Sequence, residues 1–358
     1  MFSDNFQIGN RLIGENSSTY FIADIAANHD GSLSRAKDLI FRAADAGADA
    51  AKFQHFSAKT IVSDKGFRDL GKQQSHQREW KKSVFEVYEE ASLKVEWTAE
   101  LAETCKDAEI DFFSSPYSFE LADQIDPFVP AYKIGSGDIT WIEMVKHIAE
   151  KGKPYIMASG ASNMSNVLEA VEAGVGINPQ ICLMQCNTNY TASLENFRYI
   201  NLNVLKLYRK VFPELVLGLS DHTPGHSTVL GAIALGAKMI EKHFTDDCVR
   251  EGPDHKFSMD PSSWSEMVNR SRELELALGD GIKRVEDNER ETFVLQRRAI
   301  RTTKNIAAGE ELSLNNTTLL RPCPVGAIEP QSLNKILGKK VKSAIEQGEH
   351  LTWTNIEL

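Results

Sequence analysis

The sequence has few cysteines, no excess of positive charge and no long apolar run, and each of these absences excludes a class of protein. Its five cysteines include no C-x-x-C pair, which is typical of structural thiols in a reducing compartment and not of a disulfide framework. A total of 40 lysines and arginines against 50 aspartates and glutamates gives a net charge of −10. That charge argues against nucleic-acid binding as the main function. No apolar run approaches the length of a membrane span.

The amino terminus also lacks the features of an export signal. The segment Met1–Asn10 has neither the basic start nor the apolar centre of a signal peptide. We therefore expect a cytoplasmic protein that has no membrane partner.

Short apolar runs alternate with helix-compatible stretches through residue 281. Counting them gives eight strand-then-helix units, which predict a TIM barrel. The alternative is an open doubly wound sheet, which would need a glycine-rich phosphate-binding turn after its first strand. The loop after Ile25 contains one glycine, so the barrel is favoured. The predicted strands are Tyr20–Ala27, Ala50–Gln54, Asp111–Ser114, Ala131–Ile134, Pro154–Ala158, Ile181–Cys186, Leu215–Leu219 and Ala237–Ile240.

The composition of the chain changes after the predicted barrel. We assign residues 1–281 to the barrel, 282–297 to a charged linker and 298–358 to a small module with short β-prone runs. A module of this size is marginally stable alone, so it should pack on its own barrel or on a partner chain. Within the barrel, the polar segment Ile61–Arg78 is long for a passive connection and is interpreted as a functional loop or lid.

Two histidines end neighbouring predicted strands. The stretch from Gly218 to Phe244 reads as a βαβ unit, in which His222 and His243 follow the first and second strands. Because parallel strands end at the same edge of a sheet, the two imidazoles should lie together where a barrel builds its active site. Neutral imidazoles are good ligands for a divalent transition metal. The spacing alone fits two unrelated histidines equally well.

Other polar residues also follow the predicted strands. Two lysines and several hydroxyls at one barrel mouth predict a site for an oxyanion, phosphate or carboxylate. Gly135 and Gly137 would let backbone amides approach such an anion, and Asp254 adds an acid at the same mouth. The strand-end candidates are Asp24, Lys52, Gln54, Ser115, Lys133, Ser136, Asp138, Tyr190 and Ser220.

Six short segments, together with the tail, resemble a known family. Together they resemble the sialic acid synthase family, which makes nonulosonic acids from phosphoenolpyruvate and an N-acetyl amino sugar. The tail from Arg298, including Leu320-Arg321-Pro322, resembles that family's antifreeze-like SAF domain. The segments are Ala27-Asn28-His29-Asp30-Gly31, Lys52-Phe53-Gln54, Ser114-Ser115-Pro116, Tyr132-Lys133-Ile134-Gly135-Ser136-Gly137, Gly218-Leu219-Ser220-Asp221-His222-Thr223 and Glu241-Lys242-His243-Phe244-Thr245.

The resemblance implies a role for each matching residue. His222 and His243 match the metal ligands, which usually hold Mn²⁺, with Mg²⁺ and Co²⁺ as alternatives. The acceptor sugar would contact Gln54, Asp254 and Arg321, the arginine coming from the other subunit of a domain-swapped homodimer. Asp138 is a further substrate-binding position, and Asp24, Lys52 and Lys133 would be catalytic. The positions around phosphoenolpyruvate are Lys52, Ser115, Lys133, Ser136, Tyr190 and Ser220.

The sequence departs from the family pattern at several of these positions. Asp24 and Asp138 stand where the family and its sialic acid enzymes carry Glu, and Ala158, Thr188 and Thr191 replace Ser, Asn and Pro. The acceptor is therefore left open between N-acetylmannosamine and a 2,4-diacetamido hexose of the legionaminic or pseudaminic type. Whether Asp24 acts directly or through a water also stays open.

The implied reaction is a metal-dependent condensation of phosphoenolpyruvate with the open-chain sugar, which releases phosphate. Two alternatives remain at this stage. One is a Schiff-base aldolase that uses Lys52 or Lys133, and the other is a non-catalytic sugar-binding protein.

Overall fold

Eight parallel strands close into a barrel, as the alternating strand and helix patterns predicted. The strand that ends at His243 pairs with the strand that ends at Asp24. These two residues are register partners, and their pairing closes the ring. The open doubly wound sheet is therefore excluded. The computed structural model describes residues 3–71, 77–78 and 80–357. Its first strands are β1 (Asn5–Ile8), β2 (Arg11–Gly14), β3 (Tyr20–Asp24), β4 (Ala50–His55), β5 (Asp111–Pro116), β6 (Tyr132–Ile134), β7 (Tyr155–Ala158), β8 (Ile181–Cys186), β9 (Val216–Asp221) and β10 (Ala237–His243).

An amino-terminal hairpin, which sequence reasoning did not predict, adds to the barrel interior. Strands β1 and β2 pair antiparallel, and their buried side chains Phe6, Ile8 and Ile13 form one cluster with interior barrel residues such as Tyr20 and Phe113. The apolar cluster therefore continues from the barrel interior into the hairpin. Hydrophobic burial of this kind stabilises by about 25 cal/mol per Å² of apolar surface removed from water.

Helices cover the outer face of the barrel, and their apolar stripes meet the outward-facing strand residues. Ser32 caps the first helix by accepting a hydrogen bond from the backbone N–H of Arg35, which satisfies one of the free donors at the helix start. Among the residues described, no helix combines the length and the apolarity that crossing a membrane requires. The helices from α1 to α11 are α1 (Leu33–Asp45), α2 (Ala58–Ile61), α3 (Asp64–Asp69), α4 (Val84–Ala91), α5 (Thr98–Asp107), α6 (Phe119–Ile125), α7 (Ile142–Glu150), α8 (Met164–Val175), α9 (Val204–Val211), α10 (Ser227–Ala234) and α11 (Pro261–Leu278).

The segment Ile61–Arg78 differs from the loop that was predicted. Helix α3 occupies Asp64–Asp69, with Ser63 accepting a hydrogen bond from Gly66 at its start. Residues 72–76 of the segment lie outside the described residues. Helix α4 then begins at a capping box, in which Ser83 and Glu86 exchange hydrogen bonds with each other's backbone.

The chain divides into two compact units, Met1–Gly279 and Asp280–Leu358. The stretch predicted to be a linker, 282–297, contains helix α12 (Arg290–Gln296) and belongs to the second unit. In that unit β11 (Ala299–Thr302) pairs antiparallel with β12 (Thr317–Leu320), and helix α13 (Leu333–Ile336) follows. A separate core includes Ile300, Leu312, Ile328, Val341 and Leu351.

Candidate active site at the carboxyl end of the barrel

Alternation along the strands carries polar side chains from the apolar interior to the barrel mouth. Successive side chains of a strand point to opposite faces, so every second residue points inward. Tyr20 and Ile22 of β3 lie in the interior cluster, and Asp24 follows them in the same alternation. The inward series of β7 and β8 end in Ala158 and Cys186, but the other five likewise end in polar residues. These are Lys52 and Gln54 in β4, Ser115 in β5, Lys133 in β6, Ser220 in β9, and Glu241 and His243 in β10.

Two buried lysines stand on either side of one buried carboxylate. Lys133 Nζ donates to Glu241 Oε1 at 2.5 Å, and Lys52 Nζ lies 3.8 Å from the same oxygen. Lys52 also donates to Asp24 Oδ2 at 2.6 Å. Because all four side chains are removed from solvent, each charge needs a partner inside the protein. The mouth of the barrel is therefore a closed network of two ammonium groups and two carboxylates.

The electrostatics of this network keep the ion pairs charged. Burial alone would raise the pKa of Glu241, but Lys133 and Lys52 outweigh it and lower that pKa to about 2. Burial would lower the pKa of Lys52, yet the Asp24 and Glu241 carboxylates raise it above its usual value. Burial raises the pKa of Asp24 against the opposing pull of Lys52. Lys52 is thus a fixed cation at the centre of the mouth.

Hydroxyl groups complete the surroundings of the two lysines. Ser115 Oγ lies 3.4 Å from Lys52 Nζ, and Ser220 Oγ donates to Glu241 Oε1 at 3.2 Å. Ser136 Oγ accepts a hydrogen bond from the backbone N–H of Gly160 at 3.1 Å. Burial raises the pKa of the Cys186 thiol, and hydrogen bonds with Ser136 and Ser220 oppose that rise. The predicted oxyanion residues therefore meet around one point.

The two histidines meet beside this network. The His222 and His243 ring centroids are 5.3 Å apart, and His243 Nε2 lies 3.5 Å from Asp24 Oδ2. His222 Nδ1 is 2.9 Å from the carbonyl oxygen of Asn187. A carbonyl can only accept, so Nδ1 carries the proton and Nε2 keeps a free lone pair. His243 Nδ1 is buried and has no hydrogen-bond partner among the described residues.

The donor set of the two histidines fits a divalent metal. Burial lowers the pKa of each to about 3, so both imidazoles are neutral, which is the form that binds a metal. The buried Nδ1 of His243 has no hydrogen-bond partner among the described residues, although buried polar atoms of proteins normally have one. Within the described part of the chain, no group of three or more His, Cys, Asp or Glu side chains is arranged to hold a metal. The described residues therefore offer these two imidazoles as nitrogen donors at this position.

Aromatic rings surround the histidine pair. The Tyr190 ring centroid lies 4.4 Å from that of His222 and 5.3 Å from that of Phe257. Phe257 in turn packs against His243 at 4.8 Å. These apolar neighbours account for the depressed pKa values of both imidazoles, because they displace the water that would solvate a charged ring.

A cavity of about 370 Å³ opens next to the histidines. Burial raises the pKa of the Asp138 carboxyl to about 6 and also that of Asp254 to about 6. Asp254 Oδ2 accepts a hydrogen bond from the backbone N–H of Ala27 at 3.1 Å, and Gln54 Nε2 donates to Asp24 Oδ2 at 3.1 Å. The polar lining of the cavity comprises Gln54, Asp138, Tyr190, His243 and Asp254.

A larger cavity of about 1010 Å³ lies at the opposite, amino-terminal ends of the strands. Its charged groups already serve the fold, since Asp49 pairs with Arg11 and accepts from the Phe21 backbone. Asp111 accepts a hydrogen bond from the Tyr20 hydroxyl at 2.6 Å. Active sites of TIM barrels lie at the carboxyl end of the strands. The smaller cavity, which is lined by His243 and by Gln54, the partner of Asp24, is therefore the candidate active site.

Arg321 is the predicted site residue that lies outside the barrel unit. It belongs to the second compact unit and is exposed there. Its contact with an acceptor sugar stays a prediction.

Sequence reasoning gave no role to Glu241, although its carboxylate sits between the two lysines. A signal was available in the strand alternation. Glu241 lies two residues before His243 in β10, so the two side chains had to point into the same interior. Of two tyrosines that also line the cavity, Tyr117 follows β5 in phase with Ser115 and carried the same signal, whereas Tyr88 lies on a helix and gave none.

The comparisons with known proteins agree with this geometry. The NeuB family model matches residues 39–283, and the SAF domain model matches 297–357. An N,N'-diacetyllegionaminic acid synthase from Legionella pneumophila is 32% identical over 350 residues, covering 96% of each chain. A pseudaminic acid synthase from Campylobacter jejuni is 33% identical over 356 residues, covering 96% of this chain and 98% of the relative.

A solved structure supports the same assignment. The crystal structure of N-acetylneuraminic acid (sialic acid) synthetase from Leptospira borgpetersenii, in complex with citrate, superposes with a TM-score of 0.71 at 27% identity. It covers 81% of this chain and 95% of that chain. The fold, both domain matches and the full-length relatives point to one conclusion. The chain belongs to the NeuB family and is an enzyme of the sialic acid synthase type.

Proposed function

We propose that this enzyme condenses phosphoenolpyruvate with an open-chain N-acetyl amino sugar to give a nonulosonic acid and phosphate. The observation that carries the proposal is the buried pair of lysines beside a neutral histidine pair at one end of the barrel. Phosphoenolpyruvate carries a phosphate and a carboxylate, so it needs two fixed cations. Lys52 and Lys133 are the buried cations that the barrel mouth supplies.

The chain's own residues would act mainly by positioning. Lys52 and Lys133, with Ser115, Ser136 and Ser220, hold the two anionic groups of phosphoenolpyruvate. Orientation of this kind accounts for a large share of the acceleration of a two-substrate reaction. C3 of phosphoenolpyruvate forms a bond to the aldehyde carbon of the sugar, the C=O π bond breaks, and the aldehyde oxygen takes up a proton to become a hydroxyl. Water then adds at the former enol C2, and phosphate leaves as its C–O bond breaks.

Asp24 would accept the proton of that water. Its Oδ2 is held by Lys52 and Gln54 and faces His243, so its orientation is fixed. Burial raises the pKa of its carboxyl, which makes it a stronger base than an exposed aspartate.

His222 and His243 would hold a divalent metal, most simply Mn²⁺, with Mg²⁺ and Co²⁺ as alternatives. Bound there, the metal supplies Lewis acidity toward the carbonyl oxygen of the sugar. Gln54, Asp138 and Asp254 line the cavity on the acceptor side and would bind the sugar hydroxyls. Arg321 would reach the acceptor from the partner subunit of a domain-swapped homodimer in the cytoplasm.

The aldolase alternative is less well supported by the site. A Schiff base needs a neutral amine, whereas Asp24 and Glu241 raise the pKa of Lys52. Treatment with pyruvate and borohydride would label Lys52 or Lys133 of an aldolase covalently. We expect no adduct.

The direct test is phosphate release from phosphoenolpyruvate. Purified enzyme with Mn²⁺ should release phosphate with N-acetylmannosamine or with a 2,4-diacetamido hexose, and mass spectrometry should detect the nine-carbon acid. Lys133→Met is the matched inactive control, because it removes one cation from the anion site. Absence of phosphate release with every acceptor of the panel would overturn the proposal.

A further inference from the structure

Four aromatic rings form a continuous wall of the 370 Å³ cavity. The centroids of Trp80 and Tyr88 are 6.4 Å apart, those of Tyr88 and Phe56 5.4 Å, and those of Phe56 and Tyr117 6.0 Å. Tilted and edge-on rings at these distances make a rigid apolar surface. The reaction described above gives this wall no role.

Two hydroxyl groups stand on this wall. Among the described residues, neither the Tyr88 nor the Tyr117 hydroxyl has a hydrogen-bond partner, although both rings are packed against Phe56. Burial raises the pKa of both tyrosines, so both hydroxyls stay protonated and can donate. Both tyrosines are partly buried and line the cavity, so a ligand there could supply the partner that each hydroxyl lacks.

The position of the Tyr117 hydroxyl is built into the neighbouring turn. A Cβ placed on Gly135 would lie 3.1 Å from that oxygen, which is tighter than an ordinary contact. Gly135 precedes the turn Ser136–Asp138, and Asp138 lines the same cavity. The glycine therefore leaves room for the hydroxyl beside the acidic end of the cavity.

We propose that Tyr88 and Tyr117 bind an acetamido group of the acceptor that N-acetylmannosamine lacks, and so select a diacetamido sugar. This inference rests on the proposed function. An acetamido group offers a carbonyl oxygen to a phenolic O–H and a methyl group to an aromatic ring, which are the two features of the wall. Relatives named for N,N'-diacetyllegionaminic acid make products whose names specify two N-acetyl groups.

The volume of the cavity agrees with such a ligand. Small-molecule sites of about 300–1,000 Å³ are typical, and 370 Å³ lies near the lower limit. A short open-chain sugar with compact substituents therefore suits the space better than a nucleotide-linked one.

The test measures binding and turnover separately. Acceptor affinity is measured by titration calorimetry for N-acetylmannosamine and a 2,4-diacetamido hexose, using wild type, Tyr88→Phe and Tyr117→Phe. Each variant loses one hydroxyl and keeps its ring. We expect each to weaken binding of the diacetamido sugar about fivefold more than that of N-acetylmannosamine, as for one neutral hydrogen bond. Tyr199→Phe, an exposed tyrosine, is the matched control and should change neither affinity.

A further variant tests the Tyr117 hydroxyl while leaving the tyrosine itself unchanged. Gly135→Ala should crowd the Tyr117 oxygen and reduce the preference for the diacetamido sugar in the same direction. Equal losses for both sugars, or no loss for either, in the two tyrosine variants would overturn the subsite. Lack of phosphate release by wild type, with the binding preference intact, would overturn the proposed reaction and leave the subsite standing.

Discussion

At the scale of single residues, the cations of the barrel mouth are already paired with carboxylates of the protein. Lys52 and Lys133 are bound to Asp24 and Glu241 before any substrate enters. An anionic substrate must therefore compete with these carboxylates for the same ammonium groups. Under the proposed function Glu241 would then have two roles, since it would stabilise the free enzyme and set how tightly the anionic substrate binds.

The first prediction concerns Glu241→Gln. The amide leaves two buried ammonium groups short of a negative charge, so the free energy of unfolding should fall by about 3 kcal/mol. Phosphoenolpyruvate supplies the missing charge, so it should raise the melting temperature of this variant more than that of wild type. Thermal unfolding with and without phosphoenolpyruvate measures both effects.

The control for Glu241→Gln is a second buried ion pair that faces the other side of the sheet. Asp221 Oδ2 accepts from Lys242 Nζ at 2.6 Å and lies one residue out of phase with Ser220 and His222. Asp221→Asn should destabilise the protein without increasing the effect of phosphoenolpyruvate. Equal melting-temperature gains in the two variants would contradict the role of Glu241.

The second prediction concerns metal removal. A chelator should abolish phosphate release, and Mn²⁺ should restore it in wild type but not in His222→Ala or His243→Ala. The reason is that neutral, buried imidazoles are the ligands this site offers. His226→Ala, a partly exposed histidine of the same loop, should respond to Mn²⁺ as wild type does. Full activity in excess chelator would refute the metal requirement.

Single residues could be predicted from the sequence where strand alternation decided their direction. Asp24, Lys52, Lys133 and the histidines follow apolar runs, so their place at the barrel mouth follows from the fold. Tyr88 could not be predicted in this way, because it lies on helix α4 and not at the end of a strand. Which side chains of a helix line a cavity depends on packing between distant parts of the chain and not on a local pattern.

At the scale of elements, hydrogen bonds of the buried His55 connect two strands and a helix. His55 of β4 bonds Ser114 of β5 at 2.5 Å and Thr98 of α5 at 2.8 Å. It points outward, opposite to Lys52 and Gln54, so it belongs to the helix–sheet layer. Burial lowers the pKa of this imidazole from 6.5 to about 4.

The third prediction is a pH dependence of stability that arises from His55. Between pH 6.5 and 4 the unfolded chain binds a proton that the folded chain excludes, so stability falls as the pH falls. From pH 6.5 to pH 5 the loss due to this group should be about 2 kcal/mol. Urea unfolding of wild type and His55→Gln at both pH values measures it. The variant should lose less stability than wild type, and an identical loss would contradict the assignment.

The barrel elements could be read from periodicity because each strand and helix has its own apolar pattern. The polar, glycine-containing sequence of Ile61–Arg78 predicts a loop, yet α3 forms within it. A short helix with no buried residue carries no apolar stripe, so its sequence cannot be distinguished from that of a polar loop. The hairpin of β1 and β2 was not predicted for a similar reason, because strands of only four residues are too short to show a clear alternation.

At the scale of the whole molecule, the chain has two units with separate cores. The barrel core and the core around Ile300 and Leu351 share no residue, so each unit has the apolar interior needed to fold. The residue predicted to link their functions is Arg321. We propose that it completes the acceptor site of the other subunit in a dimer.

The fourth prediction tests this proposal by mixing two inactive variants. Arg321→Ala keeps an intact barrel, and Lys133→Ala keeps an intact second unit. In a domain-swapped dimer, a heterodimer of the two has one site with both residues and one site with neither. Random exchange makes half of the dimers heterodimers, so about a quarter of all sites should be intact. Phosphate release by the mixture should then approach about a quarter of the wild-type rate.

The control is each variant exchanged with a differently tagged copy of itself, which should stay inactive. Tags on the two chains show by co-purification that exchange has taken place. If heterodimers form and the mixture stays inactive, Arg321 acts within its own chain, because the same-chain arrangement leaves every site with one residue missing. If Arg321→Ala alone keeps wild-type activity, the arginine has no part in acceptor binding. The mixing result therefore depends on which chain supplies the arginine and not on the stability of either variant.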